Sequence, residues 1–185
     1  MRLKKPRIAP LVEGDWTDEV RELLEPTRGG VGGGSVLNIF ATLAHHPKLL
    51  KRWNVFGNHV LFKSSLPARD REILILRIGW LWQAEYEWGQ HVVIGKRVGL
   101  SDEDIERIRT GPDAPGWDPF EAALVRAADE LHADAFVSDA TWKALAERYE
   151  TRQLMDVVFT VGQYTVVSMA LNTFGVQLDP GIKGF

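Results

Sequence analysis

Glu87 and His91 stand four residues apart in the stretch QAEYEWGQHVV, residues 83–93. On a helix that spacing puts both side chains on one face. A carboxylate beside an imidazole stabilises the imidazolium and can fix its tautomer. Tyr86 and Trp88 flank the pair. Aromatic neighbours lower the local dielectric and enlarge any pKa shift. Those are the ingredients of general acid–base catalysis near neutral pH. The bland reading is a surface pair worth a few tenths of a kcal/mol.

Glu72 weighs against the bland reading. It lies in the apolar run EILILRIGWLW, 72–82. An unpaired carboxylate there would cost several kcal/mol, so it requires a partner. If the chain turns between Gly79 and Gln83, two helices pack antiparallel and Glu72 approaches His91. Arg69 and Arg77 are the competing, purely structural partners. Glu87 and His91 are also two potential metal ligands, with His59 or His132 as a third. Catalytic zinc sites usually show three clear protein ligands, so no metal is expected. His45 and His46, adjacent on a helix, point about 100° apart and cannot easily share an ion.

The elements that must position these groups are helical. Pro6 and Pro10 keep the first residues extended. Asp15 is placed as the cap of a first helix that Pro26 ends. TRGGVGGGS, 27–35, is a loop. It lacks the Lys-Ser or Lys-Thr of a phosphate loop, and a turn is the favoured reading. From Val36 apolar residues recur every three or four. Pro47 opens the next helix. Ser65 is expected to cap another, with Pro67 in its first turn. Gly79–Gln83 is the expected break, and Gly99 the stop of the following helix. Ser101, Phe120 and Ser138 begin further helices. Thr151 is placed as the cap of a last one, 152–174. Its apolar content exceeds what one face needs, which predicts burial between subunits. No strand is expected. The reading is all-α, with residues 1–35 an extension carrying a short helix and the Gly-rich loop, and 36–185 the main helical domain.

Composition narrows the functions. The 185 residues are 45% hydrophobic and 25% charged, enough for one domain with a core. The net charge of −3 offers no global field for nucleic acid. The chain has no cysteine, which removes disulfides, thiolate ligands and thiol redox chemistry. The first residues, broken by charges and prolines, do not read as a signal peptide, and no run reads as a membrane span. A soluble, cytoplasmic protein without nucleic-acid or membrane partners is expected.

The segment SLPARDREILILRIGWLWQAEYEWGQHVVIGKRVGLSDEDIERI resembles the core of the carboxymuconolactone decarboxylase family, related to alkyl hydroperoxidase D. NIFATLAHHP, ADELHADAFVSDATWKAL and ALNTFGVQLDP extend the likeness. The resemblance implies an alkyl hydroperoxidase D-like helical bundle, oligomeric as a trimer or hexamer. The peroxidase branch carries Glu, Cys-x-x-Cys and His. Glu72 and His91 match its Glu and His, while Ala84 and Glu87 occupy the cysteine positions. Disulfide-based peroxide reduction is therefore not available. The likeness then implies the cofactor-free lyase branch, in aromatic compound catabolism, acting on a small unsaturated acid or lactone.

In that chemistry carbon dioxide leaves, and an acid protonates the carbon left behind. His91 is the expected principal acid–base, Glu87 its orienting group and Glu72 a second proton carrier. Tyr86 is expected to donate to an oxyanion and Arg77 to hold a substrate carboxylate. His132 and Trp88 are expected to line the pocket. Asn38 and Asn172 are read as loop ties through side-chain to backbone bonds. The alternative is a non-catalytic oligomeric binding protein of the same fold.

Overall fold

The computed structural model describes residues 2–28 and 34–185. Most of the Gly-rich loop, and with it the choice between lid and turn, lies outside them. Among the described residues the elements are α1 (Asp18–Leu24), α2 (Asn38–Leu43), α3 (Pro47–Asn58), α4 (Ala68–Leu81), α5 (Glu85–Arg97), α6 (Asp102–Thr110), α7 (Pro119–Asp134), α8 (Asp139–Ala146) and α9 (Thr151–Phe174). A π-helical segment, His59–Lys63, extends α3, and no strand occurs among these residues. The fold is all-α, as the periodicity required.

Helix α4 is the axis of the bundle. Ile73, Leu74, Ile75, Leu76 and Ile78 are wholly buried. A helix apolar all round must be enclosed, and α4 packs against α5, α7 and α9. Leu124, Val125 and Ala128 of α7 and Val157 and Val161 of α9 complete this core. The N-terminal helix is not detached from the rest: Val20 and Leu24 pack with Ala44 and Leu50.

Several caps differ from the sequence reading. Thr17, not Asp15, accepts from the Val20 N–H at the start of α1. Asp15 closes a short 3-10 turn instead. Pro67 precedes α4 without a side-chain cap; Ser65 turns away and bonds Asp156 at 2.7 Å. Glu150 rather than Thr151 caps α9, in a reciprocal box with Gln153. Ser101 and Asp104 form the same device on α6. Only at Ser65 does a tertiary partner, Asp156, take the side chain away from the helix start; at Thr17 and Glu150 the contacts that settle the cap are local.

The break between α4 and α5 falls at Trp82–Ala84, at the end of the expected window. Gln83 takes φ 51°, and the Ala84 N–H reaches back to the Gly79 carbonyl at 2.9 Å. The two helices then run back along each other. Gly79 sits against Glu87, and Leu76 lies under Gly95.

Helix α9 is long and apolar enough to cross a membrane by length and composition alone, with a best-window hydropathy of 1.5. That corrects the expectation that no segment has such a profile. Half of the window is buried inside the bundle, which is how a core helix passes the same test.

Candidate active site

The α4–α5 hairpin brings the expected acid–base groups together. Glu72 Oε2 lies 2.6 Å from His91 Nδ1. His91 Nε2 lies 2.9 Å from Glu87 Oε1. All three side chains are buried. Arg71, next in sequence, also donates to Glu72, at 3.2 Å. The partner expected from Arg69 or Arg77 is therefore Arg71. Arg69 is spent on Asp104 and Glu121.

Burial alone would push the His91 pKa down. The charges of Glu72 and Glu87 outweigh it and raise the group to about 10. The imidazole is thus protonated at neutral pH and forms the centre of a carboxylate–imidazolium–carboxylate row. The edge of Tyr164 packs on its ring, with centroids 5.0 Å apart. Burial, then the same two carboxylates, raise the Tyr164 pKa, so this phenol stays neutral.

The row opens on a cavity of about 550 Å³ between α3, α5 and α9. Glu87 and His91 line it, and Glu72 does not. The walls are largely apolar, including Ile39, Phe40, Trp53 and Val167. Gln90, Gln163, Asn54 and Asn58 supply amides, and Glu22 and Arg28 reach its lining. Arg28 is held by Glu13 and Glu25, both at 2.8 Å.

Four expected residues sit differently. Tyr86 lines the cavity, but its hydroxyl donates to Asp179 and accepts from the Ile39 N–H at 3.4 Å. Burial first, then the Asp179 charge, hold its pKa above the usual phenol range. With its proton committed, it offers nothing to an oxyanion. Arg77 does not reach the cavity. Its guanidinium grips Asp129 through two bonds of 2.5 and 2.9 Å and caps the Ile108 and Arg109 carbonyls. His132 packs on Trp82, ring to ring at 4.7 Å. Trp88 packs on Trp80 and Phe185. Neither His132 nor Trp88 is among the cavity walls. Helical spacing places such residues on a helix but does not tell which neighbour they meet.

Sequence reasoning missed Asp179. Its carboxylate gathers the Asn38 N–H at 2.9 Å, the Gln90 amide at 2.7 Å and Tyr86. It sits in a C-terminal turn 141 residues from Asn38, where no periodicity points to it. Asn38 and Asn172 do tie backbone, through the carbonyls of Gln177 and Trp82. Among the described residues no three His, Asp or Glu side chains form a group suited to a metal ion.

Residues 47–130 match the carboxymuconolactone decarboxylase family. The likeness to that family rests on this segment. The matched segment contains the whole α4–α5 hairpin, hence Glu72, Glu87 and His91, and leaves α9 and Asp179 outside. No curated protein matches the chain by sequence. Solved structures extend the likeness beyond the family core. An alkylhydroperoxidase AhpD core, an uncharacterised peroxidase-related protein from Ralstonia eutropha JMP134, is 18% identical with a TM-score of 0.80, covering 94% of this chain and 93% of the other. A peroxidase-related protein from Silicibacter sp. TM1040 is 14% identical with a TM-score of 0.81, covering 96% and 95%. A single-residue variant of the debrominase Bmp8, in complex with 2,3,4-tribromopyrrole, is 13% identical with a TM-score of 0.76, covering 96% and 94%. At these identities the likeness is one of fold, and it spans nearly the entire chain.

Proposed function

We propose that the chain is a cofactor-independent acid–base enzyme of the lyase type, acting on a small unsaturated lactone or acid held in the α3–α5–α9 cavity. The observation that carries this reading is the buried Glu72–His91–Glu87 row ending at an apolar cavity. Charges shielded from water act strongly on one another and on a bound molecule.

The geometry revises the assigned roles. Both ring nitrogens of His91 face carboxylates, so Glu87 is the group best placed to meet substrate. In a decarboxylation, carbon dioxide departs and leaves its electron pair delocalised into the unsaturated ring. The proton comes from the His91 imidazolium: Nε2 passes it to Glu87, Glu87 relays it to carbon, and His91 is left neutral until it takes up a proton again. Glu72, with Arg71, holds the charge balance behind. A substrate carboxylate would meet Gln163, Asn54, Asn58 and Arg28 rather than Arg77. Double-bond migration or dehydration needs the same proton route, and one fold hosts many reactions. Thiol peroxidase chemistry has no thiol to use.

The complete pairing of His91 also favours a second reading, in which the row is a structural ion cluster in a binding protein. Incubation of the protein with carboxymuconolactone and related lactones in deuterated water separates the two. An enzyme releases carbon dioxide or incorporates deuterium, and Glu87→Gln slows this by about 100-fold or more. A protein that binds these lactones but exchanges no hydrogen with them is a binding protein.

A further inference from the structure

One exposed stripe of α9 reads the same in either direction. Gly162 is exposed at its centre. Four residues away on each side stands a valine, Val158 and Val166. Seven away stands a methionine, Met155 and Met169. Eleven away stands a threonine, Thr151 and Thr173. All seven positions are exposed. This face does not serve the monomer's core: Val157, Val161, Tyr164, Val167 and Leu171 do that from the opposite side.

We infer that this stripe is a two-fold contact, with α9 of a second copy crossing it antiparallel at Gly162. A self-complementary patch is what an isologous interface requires. Antiparallel crossing at Gly162 sets Met155 against Met169 of the partner subunit and Val158 against Val166 of the partner subunit. Each contact is repeated by symmetry. Gly162 lets the backbones approach: a Cβ there would meet nothing within 4 Å in its own chain. Charge does not oppose the contact. In 151–174 the charged residues are Arg152 and Asp156. Asp156 is occupied by Ser64 and Ser65, and Arg152 stands near the helix end beside Glu150.

The exposed area reaches the lower end of what a stable interface uses. Phe159 also projects from α9, with Phe56 on its ring at 6.1 Å. Phe62 follows on the π-helical segment that packs against α9. Together with the four valines and methionines, these side chains are 37% to 73% exposed. At roughly 150–200 Å² of surface for each when fully exposed, they offer about 480–640 Å² per chain. Each partner of a standard interface contributes about 800 Å². Phe62 also lines the cavity, so the contact carries on to the cavity's rim. A two-fold contact belongs to a dimer or a dihedral hexamer, not to a cyclic trimer. The inference stands apart from the acid–base reading.

Sedimentation velocity of the full chain at micromolar concentration tests it, with three variants. The wild type is expected as an even multiple of 20.8 kDa. Gly162→Leu and, separately, Phe159→Glu halve the particle or reduce it further, with helical circular dichroism retained. Gly162 has free space in its own chain, so its replacement harms the contact rather than the fold. Gly162→Cys, the sole cysteine of the chain, forms an interchain disulfide under mild oxidation, whereas Lys143→Cys on α8 does not. A wild-type monomer, an odd-numbered assembly, or a particle unchanged in Gly162→Leu overturns the proposal. So does a monomer that binds vesicles of phosphatidylcholine and phosphatidylglycerol, since the stripe would then face lipid.

Discussion

Glu72 on α4 and His91 on α5 meet at 2.6 Å, and this contact fixes the two family-core helices to each other at their buried face. His91 then bridges to Glu87 on its other side. The pair is therefore structural and chemical at once. His91→Gln removes the cation between two buried carboxylates. Breaking a buried ion pair by removing one partner costs about 3–5 kcal/mol. Urea denaturation of His91→Gln checks this, and a loss below about 1 kcal/mol, the scale of an exposed pair, would contradict the burial argument.

The same contact makes stability depend on pH in a definite direction. The His91 pKa is raised from 6.5 to about 10, because the two carboxylates outweigh burial, which acts the other way. The folded state therefore keeps a proton that the unfolded chain releases above 6.5. The contribution is complete below that pH, weakens as pH rises, and is lost through about 10. The stability difference between wild type and His91→Gln should shrink steadily over that window. An imidazole signal titrating near the free value in NMR, or a difference that grows with pH, would sink this account.

The hairpin was legible from sequence because two strong constraints agreed. A Glu inside an apolar helix demands a partner, and a His at i+4 from a second Glu offers one once the chain reverses. Arg77 shows where such reasoning stops. Its burial in α4 was legible, but its partner Asp129 lies 52 residues away on α7. The bidentate geometry expected for a substrate is satisfied inside the protein. Tyr86 is a similar case: the sequence places its phenol one step round the helix from Glu87, and the distant Asp179 is what receives its hydrogen bond. Helix existence followed from apolar periodicity, whereas the caps at Thr17 and Glu150 depended on which of two nearby polar side chains reaches the first-turn backbone.

Arg77 gives the third prediction. Its donors hold Asp129 and two carbonyls at the end of α6, and a Cβ on Gly111 would touch the guanidinium at 3.1 Å. Lysine cannot reproduce that fork. Arg77→Lys should lower stability by about 2 kcal/mol, the cost of leaving buried carbonyls and part of a carboxylate without donors. Binding of lactones in the cavity, followed by isothermal titration, should be unchanged. A selective loss of affinity with stability intact would return Arg77 to the substrate-binding role.

Gly89 gives the last prediction, on how the C-terminal segment supports the cavity. A Cβ on Gly89 would stand 2.5 Å from the Lys183 carbonyl and 2.7 Å from Ile182. Backbone cannot yield as a flexible side chain does, so Gly89→Ala must push the 179–185 segment off α5. Asp179 anchors that segment to Tyr86, Gln90 and Asn38. Its displacement frees the Tyr86 hydroxyl and the Gln90 amide beside the cavity. Overpacking of this kind costs about 1–3 kcal/mol. Hydrogen exchange should show faster exchange in 179–185 and at the Asn38 amide, whose acceptor is Asp179. The α4 amides, buried on every side, should keep their protection. Uniformly accelerated exchange would mean that the segment is an integral part of the bundle, whereas no change at Asn38 would mean that Asp179 keeps its hold when Gly89 is replaced.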